Sequence, residues 1–456
     1  MLDGFKKIIN EDVPTRVRQI LKLPSSLAGL NCAMAQDLAA PAFLAARAAA
    51  VASFVDDPRM LAFMGITSEP LRPAMAAETP AKPPDPPDGG GRFKALRGRV
   101  LEEMERLRES VVSPLVAIVR EHTAQSSPQS APADSQQADA AQPQGVDPLL
   151  ALSQEALRGV PMSLPALLQM GSAGAKLQHA LSGCINRVAF HDLYKRSTAL
   201  QRSRLISQAQ RGANAWIEAV PTDRHLMMTD REFQWAMRYR VGSELLQQED
   251  LATACRCLVG KPLGTQLSLS HMSSCKYGGG AIKRHDTVLQ QVNEMLRAAG
   301  MRTHIEPRAR DDLRATFGKG APDILAVDAG RHFFVEVMVK DQSQPALLSK
   351  SSTTPRVAAA LAEAQKREKY LDKATNLNYD LVPATFEEAG AFSPSTLNLV
   401  YDCSRAAFRA GRMHDKGAPW PANTFAGYWT QRLSVALRKG CFRMRESILH
   451  SEASRL

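Results

Sequence analysis

Aromatic residues are scarce in this chain, at 6% of 456 positions, and no apolar run reaches the length of a membrane span. The most apolar stretch, Ala39 to Val55, is mostly alanine and is broken by Arg47. Abundant alanine with few rings favours helices over modest cores. Other absences narrow the chemistry. The Gly278-Gly279-Gly280 run lacks the Gly-Lys-Ser/Thr that completes a phosphate-binding loop, so triphosphate binding finds no support. No Ser-His-Asp or Cys-His nucleophile arrangement stands out. Met1 to Lys7 lacks the apolar core of a signal peptide. The seven cysteines (Cys32, Cys184, Cys255, Cys257, Cys275, Cys403, Cys441) are odd in number for a disulfide framework. The expectation is a soluble protein in a reducing, intracellular compartment, the nucleus if the host is a eukaryote. A net charge of +11 suits a polyanionic partner, although many basic proteins share it.

The length allows two or three domains. Residues 1–66 read as a helical segment and 67–92 as a linker, ending Pro86-Pro87-Asp88-Gly89-Gly90-Gly91. Residues 93–122 have helical spacing, and 123–148 form a second Ser-, Gln-, Ala- and Pro-rich linker. A helical domain is expected over 149–250, including a capping box at Thr229-Asp230-Arg231-Glu232. A Cys-rich turn region covers 251–280. Over 281–405 the pattern gives a helix from about Arg284, a strand from Arg302 to Glu306, a hairpin, a helix from about Arg356, and a strand at Leu397–Tyr401. Residues 406–456 read as a helical extension. The fold class is therefore α/β, a mixed α+β sheet flanked by helices, with a helical N-terminal half.

The hairpin carries the most chemistry. Ala321-Pro322-Asp323-Ile324-Leu325-Ala326-Val327 and His332 to Lys340 flank the turn Asp328-Ala329-Gly330. Asp323 opens the first strand. Glu336 lies inside the apolar second strand, on the same face as Met338 and Lys340. A carboxylate in such a strand needs a partner. Two converging carboxylates suit Mg²⁺ or Mn²⁺, with a lysine to orient water or offset phosphorane charge. This is the PD-(D/E)xK arrangement, except that Met338 stands where its lysine belongs. Lys340, or Lys366 and Lys369 from the next helix, could serve instead.

Two further clusters precede the hairpin. Cys255-Arg256-Cys257 with His271 and Cys275 can complete a tetrahedral structural Zn²⁺ shell, or these can be ordinary buried cysteines beside a stray histidine. Lys283-Arg284-His285-Asp286 at a helix start can contact phosphate oxygens, or can be a solvated cap.

The order of these clusters is more informative than any one of them. His271-x-x-x-Cys275-Lys276-x-Gly278-Gly279 is followed by Arg284-His285-Asp286, Gly300, Glu306-Pro307, Pro322-Asp323, Val335-Glu336-Val337-Met338-Val339 and Lys366-x-x-Lys369-Tyr370. Upstream stand Leu23-Pro24-x-x-Leu27-x-Gly29-Leu30, Asp37-Leu38-Ala39-x-Pro41-Ala42-Phe43-Leu44, Ala215-Trp216-x-x-Ala219-Val220-Pro221 and Phe233-x-x-Ala236-Met237-Arg238-x-Arg240. Over residues 20–60 and 210–375 this resembles the C-terminal region of site-specific non-LTR retrotransposon polyproteins, where a zinc knuckle precedes a restriction-like endonuclease. The resemblance implies zinc on Cys255, Cys257, His271 and Cys275, magnesium on Asp323 and Glu336, and a displaced catalytic lysine at Lys366. Lys369-Tyr370 stand beside it, and Lys283, Arg284, His285, Lys369 and Tyr370 are the candidate nucleic-acid contacts. The segment Asp341–Pro355 reads as an insertion lengthening the path from Glu336 to Lys366.

The function expected on this resemblance is nicking of a DNA target strand by in-line water attack, leaving a 3′-hydroxyl. RNA is an alternative ligand, and a polymerase encoded elsewhere an implied partner. Phe54-Val55-Asp56-Asp57 looks like a reverse-transcriptase turn, but it follows a helix-like run and no polymerase activity is expected. Two other functions stay open: a non-catalytic nucleic-acid-binding remnant, and a helical interaction scaffold.

Overall fold

The computed structural model describes residues 15–24, 89–126, 177–242, 279–306, 321–412 and 422–453, with short pieces at 45, 160, 162–163, 165–166, 169, 273, 275 and 316–317. In chain order the described elements are α1 (Thr15–Lys22), α2 (Gly89–Ser126), α3 (Leu177–Lys195), α4 (Ala199–Gln208), α5 (Ala215–Glu218), α6 (Asp230–Val241) and α7 (Gly280–Ala298). They continue with β1 (Arg302–Ile305), β2 (Ile324–Asp328), β3 (Arg331–Lys340), α8 (Pro345–Ser351), α9 (Val357–Asn376), β4 (Asp380–Glu387), α10 (Pro394–Arg409) and α11 (Phe425–Ala453). The chain is thus mixed α/β and mostly helical. It divides into two compact units, one of residues 1–32 and 193–456 and the other of 33–192. Among the described residues no helix is long and apolar enough to cross a membrane.

In the smaller unit, α2 runs past both ends of the expected 93–122 helix. Met104, Val111, Val112 and Leu115 from α2 are buried with Leu177, Leu181 and Cys184 of α3.

The larger unit holds one four-stranded sheet in the order β1-β2-β3-β4. β1–β2 and β2–β3 are antiparallel, and β3–β4 is parallel. Ala329 and Gly330 form the two-residue hairpin turn, both at positive φ (47° and 87°), which matches the twist of the flanking strands. On one face of the sheet, Phe334 and Leu325 meet Tyr370 and Ala374 of α9 together with Phe317. Phe317 stands edge-on to Phe334 at 5.2 Å between ring centroids. α11, within the 406–456 extension, packs along α7 and falls in the same unit as the sheet. The approach is close because Gly280 lies against the Met444 backbone and Gly440 against that of Arg284.

Two elements differ from the sequence expectation. Leu397–Tyr401 is not a strand but lies within α10, which Ser393 caps and Pro394 opens. Its buried positions Thr396, Leu399, Val400, Cys403, Ala406 and Ala407 follow a helical period. The fourth strand is instead Asp380–Glu387. Pro383 inside it argues against a central strand, but β4 is an edge strand, where a missing amide is tolerated.

Candidate active site

The site forms where β2 begins and β3 runs on past it. β2 has 5 residues and β3 has 10, so the second half of β3 runs beyond its hairpin partner. The last pair in register is Ile324 with Val335, which sets Asp323 opposite Glu336. Pro322 comes next and has no amide to extend the ladder. Side chains take over at that point. The Asp323 amide donates to Glu336 Oε1 at 2.9 Å, and the Val337 amide donates to Asp323 Oδ2 at 2.8 Å. This reciprocal clasp holds both carboxyl groups at one spot. The same row reaches β1, where the Glu306 amide donates to the Asp323 carbonyl at 2.8 Å and the backbone leaves the strand at φ 44°.

Glu336 is fully buried, and its Oε2 accepts a hydrogen bond from Lys366 Nζ on α9. The Asp341–Pro355 segment does not carry Lys366 away. Asp341, Gln342 and Ser343 are buried, α8 follows, and Arg356 in the left-handed region (φ 61°) turns the chain into α9. α9 then packs on β3 and β4 and brings Lys366 to Glu336. Lys340, the other candidate, points to Gln365 Oε1 at 2.9 Å. Of the two lysines, therefore, Lys366 is the one that touches a site carboxylate.

His285 reaches the same site from α7. Its Nε2 lies 3.2 Å from Asp323 Oδ2 and its Nδ1 lies 3.1 Å from Asp286 Oδ1. Burial works against its charge, but the hydrogen bond and charge of Asp323, aided by Asp286, raise its pKa to about 9. It is a cation at neutral pH. Burial also acts to raise the Asp323 carboxyl, yet His285, the Val337 amide and Lys366 hold it below the usual aspartate range. Glu336 shifts the other way: burial and the neighbouring Asp323 charge raise it despite Lys366. Opposite shifts on paired carboxylates occur both in catalytic sites and in structural ion-pair networks.

Among the described residues no three His, Cys, Asp or Glu side chains form a ready metal cage. Mg²⁺ needs only one or two carboxylates, completing its octahedron with water and substrate phosphate. Asp323 and Glu336 supply hard oxygens of that kind, and the two Glu336 oxygens now accept from the Asp323 amide and from Lys366.

The remaining expected residues separate. Lys283 is exposed on the first turn of α7, and Lys369 is exposed on α9 with its Nζ 2.6 Å from the Tyr370 hydroxyl. Tyr370 is buried; Lys366 and Lys369 lie 5.6 and 4.5 Å from its ring centroid, so it supports the two ammonium groups from below. Arg284 departs from its expected phosphate contact. Its guanidinium is buried, donating to the carbonyls of Ser273 (3.1 Å) and Val339 (3.3 Å) and lying 3.6 Å from Glu388. It turns inward because helical spacing puts it on the α7 face with Val288 and Val292. Cys255, Cys257 and His271 lie outside the described residues; Cys275 is buried and in no disulfide.

Residue spacing does not reveal His285 as the partner of Asp323, nor Glu388 as the partner of Arg284. The only available signal was the Arg-His-Asp triplet, whose faces a helix separates. Compared with models of protein families and with curated proteins, the chain matches none.

Proposed function

We propose that the chain is a metal-dependent nuclease, with the sheet and its helices forming a restriction-like endonuclease core, and that it nicks DNA. One observation carries this reading: Asp323, Glu336 and Lys366, far apart in sequence, share a single clasped site. The order around that site, a helix, three strands, two helices and a strand, also supports it. When bound, a divalent cation lowers the pKa of a coordinated water and brings positive charge to the scissile phosphate. The protein's part is to hold the pieces. Asp323 and Glu336 offer the oxygens. Lys366 is a fixed positive charge beside Glu336, suited to orienting the attacking water and offsetting phosphorane charge. His285, held between Asp286 and Asp323, orients the Asp323 carboxylate.

On this reading Lys283 and Lys369 contact the DNA backbone, and Cys255, Cys257, His271 and Cys275 hold a structural zinc. Incubating the purified chain with supercoiled plasmid and Mg²⁺ or Mn²⁺ tests the proposal. Open circles are expected from wild type and not from Glu336→Gln. Equal nicking by both proteins would reject it.

A further inference from the structure

At the hairpin-turn end of the sheet, away from the two acids, lies a cavity of about 570 Å³. Ser404, Arg405, Ala407, Phe408, Arg409 and Arg412 line it from α10 and the residues just beyond, and Thr424 and Phe425 complete it from the start of α11. Its size falls in the range of small-ligand clefts. Arg405 and Phe408, and Arg405 and Arg409, stand three and four residues apart on the last turns of α10, and Arg412 follows just past the helix end.

Two features of this cleft suit a ligand that is both aromatic and anionic. Phe408 is 66% exposed, which leaves the face of its ring open to a ligand. Three guanidinium groups surround it, and among the described residues that line the cleft none is a carboxylate. Arg409 bonds Asp328 at 2.8 Å, Arg405 bonds Asp402, and Arg412 donates to the Arg297 carbonyl at 3.1 Å. The two arginine–aspartate contacts are exposed surface pairs, which are weak. Each guanidinium has five donors, so these contacts aim it and leave donors free for an anion.

We propose that this cleft binds single-stranded nucleic acid, with a base against Phe408 and phosphates on Arg405, Arg409 and Arg412. An open aromatic face needs an unstacked base, which a duplex does not offer, and flanking arginines track the backbone on either side of it. Arg409 is anchored to Asp328 at the far end of β2 from Asp323. Five residues at ~3.3 Å each put the cleft roughly 16 Å along the sheet from the acids. A strand held there is a flank of the substrate, not the bond being cut. Binding in the cleft shares no residue with the proposed nuclease site and stands or falls alone; only its assignment as a substrate flank rests on that reading.

The test is fluorescence anisotropy of the full chain with a labelled oligothymidine of about 12 nucleotides, in EDTA so that no cleavage intervenes. Phe408→Leu keeps the apolar bulk and loses the ring; it is expected to weaken binding about tenfold with an unchanged salt dependence. Phe408→Tyr restores affinity. Arg405→Gln with Arg409→Gln lowers the slope of log K against log salt by roughly 1.4, about 0.7 for each phosphate no longer neutralised. Binding by Phe408→Leu within twofold of wild type overturns the proposal. Equally effective displacement of the oligonucleotide by a polyglutamate peptide also overturns it and assigns the cleft to an acidic protein partner. Loss of plasmid nicking in Glu336→Gln with oligothymidine binding intact separates the two sites.

Discussion

Lys366 Nζ hydrogen-bonds Glu336 Oε2 across thirty residues of chain, while Lys340, four positions from Glu336 on the same strand, bonds Gln365 instead. Lys340 shares the Glu336 face of β3, as strand alternation requires. Its long stem nonetheless carries the ammonium to the edge of α9. The position that reaches the carboxylate is fixed by how α9 crosses the sheet, not by distance along β3.

The charge on His285 depends on Asp323, and that dependence is measurable. In wild type, NMR titration of the His285 ring is expected to give a pKa of about 9. In Asp323→Asn the value falls, because the larger of the two contributions that oppose burial is gone and only Asp286 still favours the charge. A histidine pKa raised on folding adds stability that is fully present below about 6.5 and is lost as pH rises through 9. Wild type should therefore lose stability between those pH values, and Asp323→Asn should show a flatter profile. A His285 pKa that stays near 9 in Asp323→Asn would refute the pairing.

Arg284 is expected to matter for folding and not for DNA contact. Arg284→Met takes from Glu388, buried beside Asp341, the nearer of two guanidinium groups and leaves only Arg438, and burial has already raised the Glu388 carboxyl to about 7. Removing one partner of a buried pair costs about 3–5 kcal/mol. Denaturant unfolding should show that loss, while the salt dependence of DNA binding by the folded protein stays as in wild type. A changed salt slope without a stability loss would return Arg284 to the phosphate backbone.

Two glycine-to-alanine changes are expected to have opposite signs. A Cβ at Gly280 would stand 2.7 Å from the Met444 carbonyl oxygen and 3.0 Å from its Cα, pushing α7 from α11. Gly280→Ala should destabilise by about 1–3 kcal/mol. Gly183 sits inside α3 with nothing within 4 Å, so Gly183→Ala should stabilise by about 0.5–1 kcal/mol. Thermal unfolding of the two variants beside wild type reads both signs.

These results show which parts of the molecule were legible in the sequence. The hairpin and the pairing of Asp323 with Glu336 were readable because turn chemistry and a two-residue period are local. The capping box at Thr229 was readable for the same reason and is present at the start of α6. The fourth strand was missed because Pro383 masks it unless its edge position is known. α10 was misread because Leu397–Tyr401 is short and apolar, and periodicity separates strand from helix only over a longer window. The Lys366–Glu336 and His285–Asp323 contacts depend on where α9 and α7 cross the sheet. Composition and spacing carry no record of those crossings.

The most direct measurement is the rate of plasmid nicking in Mg²⁺ by wild type, Lys366→Met and Lys340→Met compared side by side. Loss of a positioned transition-state charge typically costs about 10²–10³ in rate. Lys366→Met should fall by that much, with Lys340→Met within a few-fold of wild type. A wild type that does not nick at all, or a Lys366→Met variant that nicks at the wild-type rate, would contradict the assignment of Asp323, Glu336 and Lys366 as a nuclease site.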